Sequence, residues 1–276
     1  YDLGNEMFAL FLDPTMMYSS AIFPHPSATL EEASLAKLAR ICRRLELGPR
    51  DHLLEIGTGW GGLAIHAARH YGCRVTTTTI SENQFSYAQR RVLEAGLADR
   101  ITVLSQDYRD LQGHYDKLVS VEMIEAVGHG FMDQYFRICS ERLKPAGRML
   151  LQSITIADRY HEQAMHAVDF IQKYIFPGGA LPSISAISSA VARVTDLQIS
   201  HLHDIGIDYA RTLRIWRERF MNRLPEVRSL GYPDEFIRMW EWYLLYCEAG
   251  FMERAISTVQ LVFDKPGCQL APVGAR

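Results

Sequence analysis

Residues 53–64, LLEIGTGWGGLA, place four glycines directly behind a short apolar run. An acid, Glu55, stands two residues before the first of them. Gly57, Gly59 and Gly62 satisfy the spacing GxGxxG between a candidate strand and a candidate helix. Glycines at such a junction let backbone N–H groups approach a ligand at the positive end of a helix. The pattern serves dinucleotides and S-adenosylmethionine alike, and glycines also open helices for packing alone. Glu55 could face an ammonium group of adenosylmethionine or fix the loop. The next candidate strand closes on TTTTIS, with no Asp or Glu for a ribose diol, which tilts the reading toward adenosylmethionine. Two more acids, Glu122 and Glu125, follow a later strand. Glu125 alone reads as an acid that stabilises a helix N-terminus, and Glu122 as structural or solvent-facing.

The elements that must position these groups alternate along the chain. Residues 29–47 carry apolar residues at helical spacing, with Thr29 as N-cap and Glu32 three residues on. HLLEIG reads as a buried strand and GGLAIHAARHYG as a helix closed by Gly72. CRVTTTTI is a β-branched strand, followed by a helix capped by Ser81. ITVLSQD and YDKLVSVEM are further strands. FMDQYFRICSERLKPAG reads as a helix that ends at Pro145–Gly147, and RMLLQSITI as the next strand. This rhythm predicts a doubly wound, mostly parallel sheet. Beyond residue 157 it changes. A helix near 183–194, a strand near 196–204, helices near 210–224 and 233–249 and a final strand, AISTVQLVFD, are expected. Residues 158–182 and 207–250 read as caps on the carboxyl edge of the sheet, where ligands bind in such folds.

Composition narrows the function. A net charge of −3 over 276 residues supplies no basic field for nucleic acid. No apolar run reaches the roughly 18 residues that span a bilayer. Five scattered cysteines without CxxC spacing read as reduced thiols of a cytoplasmic protein, and no histidine pattern predicts a metal site. The chain opens on Tyr1, so a preceding native segment is expected. Arg211, Arg214, Arg217, Arg219 and Arg223 share one candidate helix, either as a solvated face or as a contact for anionic headgroups.

Several motifs are more specific than the glycine loop. YDLGNEMFALFLDPTMMYSSAIF, LLEIGTGWGGLA, TISENQ, QDYRDL, SVEMIEAVG, KYIFPGGALPS and GIDYARTL occur in this order. Together they resemble the cyclopropane-fatty-acyl-phospholipid synthases and mycolic acid cyclopropane synthases, from Tyr1 to about Asp264. The resemblance implies a class I methyltransferase fold: a Rossmann-like, mostly parallel seven-stranded sheet with helical cap insertions in a single domain. Within it, 1–48 would be an N-terminal helical segment, 49–157 the adenosylmethionine-binding core, 158–182 and 207–250 an acyl-binding cap, and 251–264 the final strand.

Carried over by position, Tyr18 and Ser19 would contact the cofactor. Gly57, Gly59, Trp60 and Gly61 would surround its amino acid and ribose, with Glu55 and Val121 alongside. Thr79, Ile80 and Gln84 would take the place of the usual acid at the ribose and adenine, and Asp107 and Tyr108 would flank the adenine. The family's bicarbonate is held by a Cys, Glu, His, Ile and Tyr set, and here those positions read Ser20, Glu125, Gln152, Ile154 and Tyr209. Cys has become Ser20, His has become Gln152, and EHxG has become Glu125-Ala126-Val127-Gly128. Two outcomes follow. The ion stays with neutral ligands, or it is lost and Glu125 acts more directly.

The implied chemistry is methyl transfer from S-adenosylmethionine to the double bond of an unsaturated phospholipid acyl chain. A cyclopropane or a methylated chain results, depending on where the base removes a proton. Phe170, Tyr174, Phe176, Tyr209, Trp240, Tyr243 and Tyr246 could surround the cation or line an acyl tunnel. Peripheral contact with the inner membrane face is expected, and a homodimer is left open. Methylation of a small soluble acceptor and an inactive lipid-binding homologue are the alternatives.

Overall fold

The computed structural model describes residues 3–269. Seven strands form one sheet in the order β3-β2-β1-β4-β5-β7-β6. They are β1 (His52–Ile56), β2 (Arg74–Thr79), β3 (Ile101–Ser105), β4 (Tyr115–Val121), β5 (Leu143–Ile156), β6 (Gln198–Asp204) and β7 (Ile256–Asp264). Strand β7 runs antiparallel between β5 and β6, and the pairings from β3 through β5 are parallel. The chain order reverses between β1 and β4, so the crevice for ligands opens at their carboxyl ends.

The helices follow from readable local signals. α1 (Asn5–Ala9) is a short opening turn, and α2 (Leu30–Arg44) begins with a complete capping box between Thr29 and Glu32. α3 (Gly62–Tyr71) stops at Gly72, which adopts the left-handed conformation glycine tolerates best. α4 (Glu82–Glu94) is capped by the Ser81 hydroxyl. α5 (Met132–Arg142) ends three residues before Pro145, earlier than the sequence suggests. Leu143 is already extended and pairs with Tyr115, so residues 143–147 belong to β5. Strand pairing here overrides the helical spacing of the apolar residues.

The stretch 158–182 is more helical than its turn-rich composition implies: it forms α6 (Asp158–Met165) and α7 (Phe170–Tyr174). α8 (Ile184–Val194), α9 (Gly206–Met221) and α11 (Asp234–Met252) match expectation, while the short α10 (Leu224–Ser229), with Pro at its start, was not anticipated.

Two apolar layers lie against the sheet, one around α2 and α3 and one around α5 and α8. A third cluster covers the carboxyl edge. It joins Met7, Phe8 and Phe11 of the N-terminal segment to Trp216 and Phe220 of α9 and Trp240 and Tyr243 of α11. Arg91 of α4 ties the same segment down by donating to the carbonyls of Pro14, Thr15 and Trp60. Gly62 makes this close approach possible, because a Cβ there would lie 2.6 Å from the Thr15 carbonyl oxygen. Gly62→Ala should therefore destabilise the fold by about 1–3 kcal/mol through overpacking, with a matching drop in the urea midpoint. An unchanged midpoint would show that the segment yields freely.

Candidate active site

The glycine loop leaves β1 with Gly57, Gly59 and Gly61 all at positive φ. Gly57 and Thr58 both donate to the Thr78 carbonyl, which ties the loop to β2. A Cβ built on Gly59 meets no atom within 4 Å, so the outer face of the loop is clear of protein. Beneath the loop, Glu55 is buried and accepts from the Thr77 hydroxyl (2.7 Å), which accepts in turn from Thr58 (2.7 Å). Of the two roles open to Glu55, the geometry favours fixing the loop over facing a ligand. Burial pushes its pKa up to about 8.

Most of the other positions expected at the cofactor lie at or after the ends of β2, β3 and β4. Thr79 donates to the Gln84 side chain (3.0 Å) at the end of β2, and Ile80 beside it is 78% exposed. Asp107 is held by the Arg109 guanidinium, which keeps its carboxyl below the usual range. Tyr108 packs edge-on against Tyr135. Val121 is the last residue of β4. Trp60 departs from expectation. Its indole N–H donates to Asn5 (2.7 Å) and its ring packs on Phe8, so its side chain anchors α1 and leaves only backbone to the loop's outer face. Tyr18 shares a hydrogen bond with Tyr243 (2.8 Å). The Ser19 hydroxyl accepts from Lys37 (2.6 Å).

The five positions assigned to an anion do not form one set. Ser20 N–H (3.0 Å) and the Gln152 amide (2.8 Å) donate to one oxygen of Glu122. The Tyr209 hydroxyl donates to the other (2.8 Å). The Ser20 hydroxyl instead donates to the Ala21 carbonyl. Glu125 takes the Ile154 N–H and the Ser153 hydroxyl on one oxygen, while its second oxygen is buried without a hydrogen-bond partner. The donors expected for bicarbonate are thus spent on the side chain of Glu122, and these residues do not fit the free ion.

Sequence reasoning read Glu122 as structural or solvent-facing because it follows a strand in a left-handed turn (φ 49°), where side-chain alternation no longer predicts direction. Its pKa is raised by burial, against which Lys37, Gln152, Ser20 and Tyr209 all act. That of Glu125 is raised by burial first and by the Glu122 charge second.

The cap reaches this pair through backbone. Ala180 N–H donates to the Glu125 carbonyl (2.8 Å), and Gln172 of α7 holds the Gly179 carbonyl (2.9 Å). Phe176 packs edge-on against Tyr243. Most of the arginines of and just beyond α9 are engaged. Arg211 and Arg219 donate to backbone carbonyls, and Arg214 and Arg223 pair with Glu248 and Glu226. They do not form a free basic face.

Residues 1–261 match the family described as mycolic acid cyclopropane synthetase. The chain belongs to this family. It is 42% identical over 274 residues to the tuberculostearic acid methyltransferase UfaA1 of Mycobacterium tuberculosis, covering 97% of this chain and 64% of that protein. It is 41% identical over 265 residues to the cyclopropane-fatty-acyl-phospholipid synthase of Escherichia coli K12, covering 96% of this chain and 66% of that one. The chain thus spans a little under two-thirds of the length of these relatives. Among solved structures, it resembles the cyclopropane synthase MmaA2 of Mycobacterium tuberculosis, with TM-score 0.90, 30% identity, and coverage of 96% and 95% of the two chains. The same values hold for the mycolic acid cyclopropane synthase CmaA1 complexed with SAH and CTAB. The sheet and its helices are those of class I methyltransferases.

The raised pKa of buried Glu55 has a sign that can be tested. The folded state holds the proton more tightly than the unfolded state, so this contribution is complete below 4.5 and is lost as pH rises toward about 8. Glu55→Gln should reduce the fall in Tm between pH 5 and pH 8 by comparison with the unsubstituted chain. Equal falls in both proteins would contradict the assignment.

Proposed function

We propose that this chain transfers the methyl group of S-adenosylmethionine to the double bond of an unsaturated phospholipid acyl chain, with Glu122 as the base. The observation that carries the reading is the convergence of Ser20, Gln152 and Tyr209 on Glu122 beside Glu125. The clear face over Gly59 and the exposed Ile80 at the next strand end suit a cofactor held by backbone and by apolar contact. Gly57, Gly59, Gly61, Thr79, Gln84, Asp107 and Tyr108 would hold it. When bound, it supplies an electrophilic methyl on a sulfonium.

The chain's own residues must then align an alkene with that methyl and exclude water. Tyr18, Trp216, Trp240 and Tyr243 form a largely buried aromatic cluster whose faces would favour a cation brought against it. As the methyl–sulfur bond breaks, a bond forms to one alkene carbon and leaves positive charge on the other. Glu122 accepts a proton. If it comes from the new methyl, the electron pair left behind closes a cyclopropane. If it comes from the methyl-bearing carbon, the electron pair re-forms the double bond between the two original alkene carbons and a methyl-substituted alkene results. Glu125, with its proton affinity raised by Glu122, keeps the pair at a single negative charge in the neutral range.

A lipid acceptor is supported by the names of the relatives and by the cap. No helix among the described residues is long and apolar enough to cross a membrane. Contact with a bilayer would therefore be peripheral. Exposed Val168, Tyr174, Trp242 and Tyr246 offer apolar surface for it.

Incubation with S-adenosylmethionine and vesicles of monounsaturated phospholipid should add one CH2 to the acyl chains by mass spectrometry. Mild hydrogenation then separates a methyl-substituted alkene, which takes up hydrogen, from a cyclopropane, which does not. Glu122→Gln should lower kcat by about 10²- to 10⁴-fold, the usual worth of a general base, while adenosylmethionine still raises Tm. Turnover of soluble amines or phenols without lipid, and none on vesicles, would reverse the substrate assignment.

A further inference from the structure

Lys37 is fully buried in the middle of α2, on the same helical stripe as Leu30, Ser34 and Ile41. Its ammonium donates to the Ser19 hydroxyl, which is neutral. An isolated ammonium in such a place is costly unless an anion compensates it. Two carboxylates act on it, Glu122 more strongly than Asp13. Asp13 is already occupied by the Ser34 hydroxyl and the Thr15 N–H, both close in the chain or on the same helix face. Glu122 meets the same segment, 18–20. There Ser19 receives Lys37 and the next residue, Ser20, donates its N–H to Glu122.

We propose that Lys37 is a positioning residue of this site. Its buried ammonium, braced behind Ser19, keeps Glu122 in the carboxylate form that accepts the proton. The inference rests on the assignment of Glu122 as base and adds the means by which that base stays ionised. The groups facing Glu122 are Lys37 from α2, Tyr209 from α9 and Glu125 from its own turn, and those facing Lys37 are Glu122 and Asp13. Burial opposes the carboxylate, the cation favours it, and removing the cation leaves burial in control. Burial also brings Lys37 down to about 8, so its charge acts through the neutral range and fades above it.

The test is the pH dependence of kcat for the full chain on monounsaturated phospholipid vesicles. Lys37→Met and Lys37→Gln should move the acid limb upward by about 1 pH unit or more. KM for lipid should stay near the unsubstituted value, and the curves should converge above about pH 8. Lys37→Arg, which keeps the charge, should bring the limb back. An unmoved acid limb in both neutral variants, with only Tm lowered, would reduce Lys37 to packing. Retention of full turnover by Glu122→Gln would overturn the base assignment and this inference with it, which separates the two failures. The carboxyl 13C titration of labelled glutamate in the unsubstituted protein tests the idea without a folding risk. The Glu122 signal, identified by its loss in Glu122→Gln, should titrate below that of Glu125. The reverse order would refute the role of Lys37.

Discussion

A carboxylate taken out of water must be given donors, and the Glu122 side chain collects them from distant parts of the chain. Ser20 comes from the N-terminal segment, Gln152 from β5 and Tyr209 from α9, with the Lys37 charge behind. Removing one partner of such a group costs several kcal/mol because the others are left unpaired. The requirement therefore acts as a construction rule. The N-terminal segment must lie across the carboxyl edge of the sheet, and α9 must start where its Tyr209 reaches over β4. The polar chain extends outward from Gln152 to Gln260 of β7 and on to Arg40 of α2. One charge thus orders the strands and helices on both sides of it.

The same edge joins two otherwise separate jobs. The glycine loop is clamped from above by Trp60 on Asn5 and by Arg91 on the Pro14–Thr15 turn. The cap is clamped to the acidic turn by Ala180 on Glu125. Both clamps use backbone carbonyls or a short side chain, so neither relies on flexible ion pairs that salt would screen. The aromatic cluster of α1, α9 and α11 lies between them and carries the apolar burial that holds the cover down.

Much of this was legible in the amino-acid order. The alternation of strands and helices, the Thr29 and Ser81 caps and the Gly72 stop all rest on local physics, and each appears where that physics puts it. Local reasoning failed at the end of α5, where a helix-compatible run was claimed by pairing with β4, a non-local interaction. Among candidate site residues, spacing did not reveal how the side chains group. Ser20 contributes its N–H and not its hydroxyl, and Trp60 turns away from the loop. Such choices depend on side-chain direction after a turn, which spacing does not encode. Lys37 did leave a signal, a lysine on the apolar stripe of an amphipathic helix, where a solvated charge has no place.

The backbone of Glu122 is left-handed, a conformation that costs a side-chain-bearing residue about 1–2 kcal/mol and glycine almost nothing. A glycine at 122 would relax that turn and at the same time leave a hole the size of a carboxylate. Facing into it would be the Ser20 amide, the Gln152 amide and the Tyr209 phenol. Such a hole is a ready receptor for a small planar oxyanion from solution. A tethered acid and a borrowed one are thus alternative fillings of the same socket, one residue apart.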